Sequence, residues 1–227
     1  MTAVFQRNGR PRLALVGNAP LRNDLAERID ACDLVVRCNE AKTLGGYSGT
    51  RTDVLCITNT GVPARRIIAE RSVRKEPRFP GLSEVWFPRD SGTHLRYLRA
   101  SGSDIPESEF DDCSDDLLEA NDLDGVRVTR FSEESNEQVF DRLRRESRRG
   151  FICPSTGFLA LWHILERPEY VSFGKFLFGF TFKFWEGHPA AAERRIVEEL
   201  CSTRDDLHFT PVSGGFFASL RRRFQRE

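Results

Sequence analysis

Short apolar segments rich in Val, Leu and Ile alternate along this chain with longer segments whose apolar residues recur at helical spacing. Such alternation is typical of an α/β fold, in which helices cover the faces of a central sheet. Alternating aromatic residues at 173–185 also predict a buried strand. The predicted strands cover residues 13–16, 34–37, 54–57, 84–87, 126–129, 175–179 and 207–209. The predicted helices cover residues 24–29, 64–71, 93–100, 136–146, 155–165 and 189–200.

The length of 227 residues fits one domain, and we predict a single domain over residues 1–227. One segment of it, residues 101–124, contains ten Asp and Glu residues and few aromatic ones. Because such a segment has little apolar surface to bury, we predict that it forms an acidic, mobile excursion from the sheet.

The charge of the chain is balanced, with 34 basic and 34 acidic residues, so no global field favours nucleic acid as a partner. Two interpretations are open for Arg221, Arg222 and Arg223: a solvated helix end, or a peripheral contact with an anionic membrane. The sequence has no run of about 18 apolar residues and no hydrophobic stretch at its start, so we expect a cytoplasmic protein. The six Cys residues form no C-x-x-C pair and no cluster has metal-ligand spacing, so we expect thiols and no metal site.

Two short motifs stand where predicted strands end. V-G-N ends the first strand with Gly17 and Asn18, and R-C-N ends the second with Asn39. Open α/β sheets bind ligands at the carboxyl ends of their strands, so we expect Gly17 to admit a ligand to the backbone and both amides to contact it. An ordinary turn is the alternative for V-G-N. The sequence G-N-A-P-L-R lacks the further glycines of a dinucleotide fingerprint, which disfavours NAD.

The arginine of R-C-N, Arg37, has two tasks open to it. A guanidinium pairs bidentately with phosphate or carboxylate, which would suit a ligand at the same edge of the sheet. The same group could instead brace Asp33 or Asp53 in an ion pair. The sequence does not choose between a ligand contact and a structural ion pair.

The motif P-S-T-G precedes an apolar segment with helical spacing. Ser155 is therefore predicted to be an N-cap, with Thr156 and Gly157 in the first helical turn. The unpaired amides and positive dipole end of such a turn can bind an anion. Simple capping of the helix is the alternative, and the two roles are compatible.

The motif H-P-A-A-A-E places His188 directly before Pro189, a favoured first residue of a helix. Histidine is the usual proton acceptor at neutral pH, so His188 is a candidate general base. Glu193 follows one turn later and is expected either to orient His188 or to complete a capping interaction. A structural histidine is the alternative.

The order of these motifs resembles that of the sialyltransferases of glycosyltransferase family 29. V-G-N, R-C-N and G-T-R-T-D at residues 49–53 are similar to their large sialylmotif. P-S-T-G and L-F-G-F at residues 177–180 are similar to the small motif, and His188 with Glu193 to the very small one. The resemblance implies a Rossmann-like variant of the GT-A fold, with a mostly parallel central sheet and helices on both faces.

The resemblance also implies a site and a reaction. Asn18 and Asn39 would contact the phosphate and ribose of a CMP-sugar donor, and Ser155, Thr156 and Gly157 its phosphate and cytidine side. The sugar donor would be a co-substrate, with no other cofactor and no metal. The reaction would invert the anomeric carbon, with the histidine of the very small motif as general base.

This chain departs from the family pattern in two places. Members from the secretory pathway carry a membrane anchor and a cysteine in each of the two larger motifs, and the corresponding positions here hold no cysteine, which fits a bacterial cytosolic relative. The aromatic motif with a histidine that precedes the very small motif is replaced by F-K-F-W-E-G at residues 182–187. Lys183 is a candidate to replace that histidine as the cation at the donor phosphate.

The function that these features predict is transfer of a 2-keto sugar acid from its CMP-activated donor to a hydroxyl of a glycan or lipid-linked glycan. The sequence does not choose between sialic acid and Kdo. An accessory protein that kept the nucleotide pocket without turnover is the alternative from another class, and a protein for another mononucleotide is a third. A cytosolic member could work on precursors at the inner membrane.

Overall fold

The structure is a computed structural model that describes residues 9–147, 150–182 and 185–212. All seven predicted strands are present, and their ends differ from the predicted ones by no more than one residue. Most of their residues are buried, as in a sheet that is covered on both faces, and the exception is the strand at Arg127–Arg130, whose two end residues are exposed. The strands are β1 (Arg12–Val16), β2 (Leu34–Cys38), β3 (Val54–Cys56), β4 (Glu84–Phe87), β5 (Arg127–Arg130), β6 (Gly174–Phe178) and β7 (Leu207–Phe209).

The seven strands form one sheet in the order β5-β4-β3-β2-β1-β6-β7, and each neighbouring pair is parallel. The chain moves outward from β1 to β5 and then returns to place β6 on the free side of β1. Because the direction reverses there, the topological switch point lies between β1 and β6. The fold is thus the predicted Rossmann-like α/β fold.

The six predicted helices are present, together with one that the sequence analysis did not predict. That additional helix, Ser114–Ala120, lies in the acidic segment. The helices are α1 (Ala26–Asp30), α2 (Gly61–Glu70), α3 (Ser91–Ser101), α4 (Ser114–Ala120), α5 (Glu133–Glu146), α6 (Thr156–Glu166) and α7 (Ala190–Thr203).

Helices cover both faces of the sheet. On one face, Leu15, Val36 and Trp86 belong to a core that includes side chains of α5, α6 and α7. On the other face, one core joins β1, β2 and β6 to α1, and a second joins β3 and β4 to α2 and α4. Strand residues therefore alternate between two apolar layers, which accounts for their continuous apolar sequence.

The aromatic stretch is a strand over only part of its predicted length. β6 ends at Phe178, and Gly179 follows with a positive φ of 70°. A residue with that conformation takes the chain out of the extended path, so the alternation at residues 173–185 overpredicts the strand. Residues beyond Gly179 pack elsewhere: Phe180 and Phe182 join the core beneath α6 and α7.

The acidic segment at 101–124 contains a short 3-10 helix at Glu107–Phe110 and then α4. Three of its apolar side chains, Phe110, Leu117 and Leu123, are buried. Leu117 joins the core beneath α2. The single domain and the mobility of this segment stay predictions.

Candidate functional site

Polar side chains follow four neighbouring strands of the sheet, within three residues of the strand ends. Asn18 follows β1, Asn39 follows β2, Asn59 follows β3 and Arg89 follows β4. Because the sheet is parallel, all four lie at the same edge, where open α/β sheets bind ligands. The convergence of the first two motifs at this edge is the predicted one.

The two asparagines are held differently. The Asn18 side chain donates from Nδ2 to the carbonyl of Cys38, 3.0 Å away, and accepts from the amide of Lys42 at 2.8 Å. Both ends of its amide therefore join the end of β1 to the loop after β2. Asn39 accepts from the amide of Thr58 at 2.8 Å through Oδ1, and no described residue accepts from its Nδ2. Asn39 is thus the asparagine with a donor left for a ligand.

Gly17 allows the segment at residues 178–180 to approach the end of β1 closely. Its amide donates to the carbonyl of Phe178 at 2.8 Å, and a β-carbon at Gly17 would lie 2.5 Å from the carbonyl oxygen of Gly179. A β-carbon at Gly157 would lie 2.5 Å from Cε1 of Phe180, and one at Gly17 would lie 3.5 Å from Cδ2 of the same ring. The Phe180 ring therefore joins V-G-N to P-S-T-G, which are far apart in sequence.

The N-terminus of α6 has the geometry that P-S-T-G predicts. Ser155 is the N-cap, and its Oγ accepts from the amide of Phe158 at 3.2 Å. The amides of Thr156 and Gly157 have no acceptor among the described residues. Two unpaired donors thus stand at the positive end of an 11-residue helix, which is an arrangement that favours an anion.

Glu193 binds this cap from the first turn of α7. The Ser155 amide donates to Oε1 at 2.7 Å, and the Ser155 hydroxyl donates to Oε2, also at 2.7 Å. Burial raises the pKa of Glu193 to about 7, and the two hydrogen bonds from Ser155 oppose that rise. Of the two roles open to Glu193, the structure shows the capping one, so Glu193 is a positioning residue.

His188 lies beside the same cap and has a defined tautomer. Its Nδ1 donates to the carbonyl of Cys153 at 2.8 Å, which leaves the lone pair on Nε2. Burial lowers the pKa of His188 to about 4, the hydrogen bond to Cys153 opposes this, and the charge of Arg89 lowers it further. The exposed Trp185 ring stands perpendicular to the imidazole, with ring centres 5.3 Å apart. The imidazole is therefore neutral and oriented.

Arg37 performs neither of the two tasks considered for it. Its guanidinium is 1% exposed and donates to the carbonyls of Ser48, Gly49 and Arg51 and to the hydroxyl of Ser48. Burial lowers the pKa of Arg37 to about 10. Arg51, and not Arg37, pairs with Asp53. The prediction of a ligand contact by Arg37 is corrected, because its donors are committed to the loop after β2.

Sequence reasoning missed the polar group at the ends of β3 and β4. Asn59 brackets the backbone of Arg89, accepting from its amide at 3.1 Å and donating to its carbonyl at 3.0 Å. The Arg89 side chain donates from Nη1 to the hydroxyl of Thr60 at 2.9 Å. The signal was present in W-F-P-R, where an arginine follows an apolar strand by two residues.

Some predicted groups lie outside the described residues, namely Lys183 and the basic end with Arg221, Arg222 and Arg223. Within the described ranges, no three His, Cys, Asp or Glu side chains are grouped so that they could hold a metal ion. No helix in the same ranges is long and apolar enough to cross a membrane. All six cysteines are thiols.

The fold and the edge define a Rossmann-like α/β protein with a helix N-terminus, a neutral histidine and an arginine gathered at the carboxyl ends of its strands. The model of the family "Glycosyltransferase family 29 (sialyltransferase)" matches residues 5–192. The chain belongs to this family, which confirms the resemblance read from the motifs.

Individual proteins similar to this chain include a curated bacterial one and two solved structures. The "Urease operon 23 kDa accessory protein" of Rhizobium meliloti (strain 1021) is 29% identical over 194 residues, covering 84% of this chain and 88% of that protein. A mammalian sialyltransferase in complex with Gal-beta-1-3GalNAc-ortho-nitrophenol matches with a TM-score of 0.53 at 19% identity, covering 90% of this chain and 70% of that one. A second mammalian sialyltransferase structure matches with the same TM-score and coverage at 17% identity. These structures share the fold.

Proposed function

We propose that this chain transfers a 2-keto sugar acid, sialic acid or Kdo, from its CMP-activated donor to a hydroxyl of a glycan acceptor. The observation that carries the proposal is the set of hydrogen bonds that connects H-P-A-A-A-E to the P-S-T-G segment. Glu193 holds the cap of α6 through both of its oxygens, while His188 holds the carbonyl of Cys153, two residues before that cap. A candidate anion site and a candidate base are thereby fixed next to each other.

In this proposal the donor phosphate lies at the start of α6. The free amides of Thr156 and Gly157 and the positive end of the helix would stabilise the negative charge that grows on departing CMP. Nδ2 of Asn39 would donate to the phosphate or the ribose from the neighbouring strand end. Asn18 would act one step further away, since it holds the loop that carries Asn39.

The reaction would proceed with inversion and without a metal cofactor. The bond between the anomeric carbon and the phosphate oxygen breaks, leaving an oxocarbenium-like centre, as the acceptor oxygen attacks from the opposite side. Nε2 of His188 accepts the proton of the acceptor hydroxyl as the new bond forms. A pKa of about 4 makes the imidazole a weak base before substrate binds. The bound donor carries one negative charge on its phosphodiester and one on its carboxylate, and these charges would raise the pKa of His188 and strengthen the base.

The role of His188 is tested by His188→Ala, assayed with CMP-activated sialic acid and Kdo as donors. A lost general base reduces turnover by about 10²–10⁴, while CMP affinity measured by calorimetry should stay within a few fold. His208→Asn, on edge strand β7, is the matched control and should retain full turnover. Full activity of the His188 variant would show that His188 is not the general base. A native protein that does not bind CMP would show that the donor is not a CMP-activated sugar.

An accessory protein without turnover is the second candidate. The curated relative named "Urease operon 23 kDa accessory protein" favours it, since that protein is matched over 88% of its length. The replacement of the aromatic motif by F-K-F-W-E-G favours it too. Hydrolysis of the donor in the absence of acceptor separates the two. CMP binding with neither hydrolysis nor transfer supports the accessory role, whereas even slow hydrolysis that depends on His188 supports the enzyme.

A further inference from the structure

The backbone of Arg89 forms hydrogen bonds through both its amide and its carbonyl, whereas only part of its guanidinium forms hydrogen bonds with the described residues. Asn59 fixes its amide and its carbonyl, and Thr60 accepts one hydrogen bond from its Nη1. No carboxylate of the described chain forms an ion pair with this guanidinium. Arg65, Arg96 and many other described arginines do pair with carboxylates. Arg89 is therefore a cation without an ion-pair partner among the described residues.

Several buried polar atoms of Arg89 and of residues near it in the chain or across β3 and β4 have no hydrogen-bond partner among the described residues. Nε of Arg89 is buried and has no hydrogen-bond partner among the described residues, and the same holds for the hydroxyls of Thr58 and Ser91 and for Nδ1 of His94. Thr58 precedes Asn59, Ser91 follows Arg89 by two residues, and the Arg89 charge lowers the pKa of buried His94 beyond the effect of burial itself. Native proteins leave few buried polar groups unpaired, so several of them together indicate a partner that the described residues do not supply.

The cluster adjoins the proposed donor site. Burial raises the pKa of the Cys153 thiol and the positive charge of Arg89 opposes that rise, while the same charge lowers the pKa of His188. Leu98 of α3, the helix that begins two residues after Arg89, packs in the same apolar cluster as Cys153, whose carbonyl holds the imidazole. Arg89 therefore lies near the hydrogen bond that fixes His188 next to the α6 cap. Nη1 and Nη2 are the atoms that could reach a ligand, because Nε is enclosed.

We propose that Arg89 is the cation of the donor site and that its guanidinium binds the phosphate or the carboxylate of the CMP-activated 2-keto sugar acid. This inference rests on the proposed function. A planar guanidinium matches two anionic oxygens on one group, which suits either phosphate or carboxylate. Asn59 and Thr60 are positioning residues in this proposal, since they hold the backbone and one edge of the guanidinium. The role that the sequence suggested for Lys183 would then belong to an arginine that follows β4.

The test compares the native protein with Arg89→Gln, Arg89→Lys and the control Arg96→Gln by calorimetry. Arg96 lies on the following helix and pairs with Glu133 and Glu137, so its variant should bind every ligand as the native protein does. Cytidine, CMP and a CMP-activated sugar acid are titrated. If Arg89 binds the phosphate, Arg89→Gln weakens CMP by roughly 10–100-fold and leaves cytidine unchanged. If it binds the carboxylate, CMP is unchanged and the CMP-sugar is weakened by a similar factor.

Arg89→Lys keeps the charge but loses the planar fork, so an intermediate loss is expected. It also decides the test if Arg89→Gln does not fold, which circular dichroism would reveal. The proposal would be overturned if each of the three ligands bound the folded Arg89 variants as tightly as it binds the native protein.

A further measurement separates an error in the proposed function from an error in the role of Arg89. If the native protein binds no CMP, its melting temperature is measured with inorganic phosphate and with citrate. A rise in the native protein that Arg89→Gln lacks retains Arg89 as an anion site and rejects the CMP donor. An equal rise in both proteins, or a rise in neither, overturns the role of Arg89 as well.

Discussion

The pH dependence of stability should carry a signature of Glu193. The carboxyl is 0% exposed, and its folded-state pKa of about 7 lies above its ordinary value of 4.5. A raised pKa means that the folded protein favours the protonated form. The stabilising contribution of Glu193 is therefore complete below pH 4.5 and is lost as the pH rises through about 7.

The magnitude follows from the two pKa values. A change from 4.5 to about 7 corresponds to about 3 kcal/mol between the folded and unfolded states. About 2 kcal/mol of it develops between about pH 5 and about pH 8. Glu193→Gln removes this titration but keeps an oxygen for the Ser155 amide. The variant should thus gain about 2 kcal/mol of unfolding free energy relative to the native protein over that range.

Urea unfolding followed by tryptophan fluorescence at the two pH values measures this difference, provided that the slope of the transition is the same for both proteins. Glu198→Gln is the matched control, since Glu198 is a more exposed carboxylate of α7 that pairs with Arg194. Its effect should stay below about 0.5 kcal/mol at both pH values. A constant difference for Glu193→Gln, or one that moves the other way, would show that the Ser155 hydrogen bonds and the helix end outweigh desolvation.

Two further substitutions test packing around the site. Gly157→Ala should lower the unfolding free energy by roughly 1–3 kcal/mol, because the new β-carbon meets Phe180, and Phe180→Leu should recover part of the loss; urea midpoints measure both effects, and an unchanged midpoint for Gly157→Ala would contradict the contact. Arg37→Met should lower the unfolding free energy by roughly 2–4 kcal/mol, because the Ser48, Gly49 and Arg51 carbonyls lose their donor. Its CMP affinity, measured on the folded protein, should change no more than a few fold, and a selective loss of affinity at native stability would restore Arg37 to the ligand site.

The fold was predictable because most of the strands are buried on both faces. Such a strand appears as a short apolar run, as in central β1, whereas both ends of edge strand β5 are exposed. Helix α4 was missed because its buried Leu117 lies among acidic residues that indicated an exposed segment. The strand at 173–185 was overpredicted because alternation does not reveal the backbone turn at Gly179.

The sequence predicted which helix and strand ends form the site, but it did not predict which side chains contact each other there. Sequence spacing located the cap at Ser155 and the residues that gather at the strand ends. It could not show that Glu193 turns towards Ser155, since a carboxylate one turn into a helix can reach several groups. The burial of Arg37 was equally hidden, because its acceptors are backbone carbonyls that any sequence supplies. Arg89 belongs to no recognisable motif and becomes visible only through what surrounds it.

The position of β1 has a consequence for how the chain is made. One neighbour of β1 is β2, which comes next in the chain, but the other is β6 at Gly174–Phe178. Before β6 is synthesised, the chain on the ribosome contains five strands. The N–H and C=O groups along one side of β1 are then unpaired. Such an apolar open edge can pair with another chain. Synthesis of the last quarter of the protein closes it, so products that stop before β6 would be the forms most prone to aggregate.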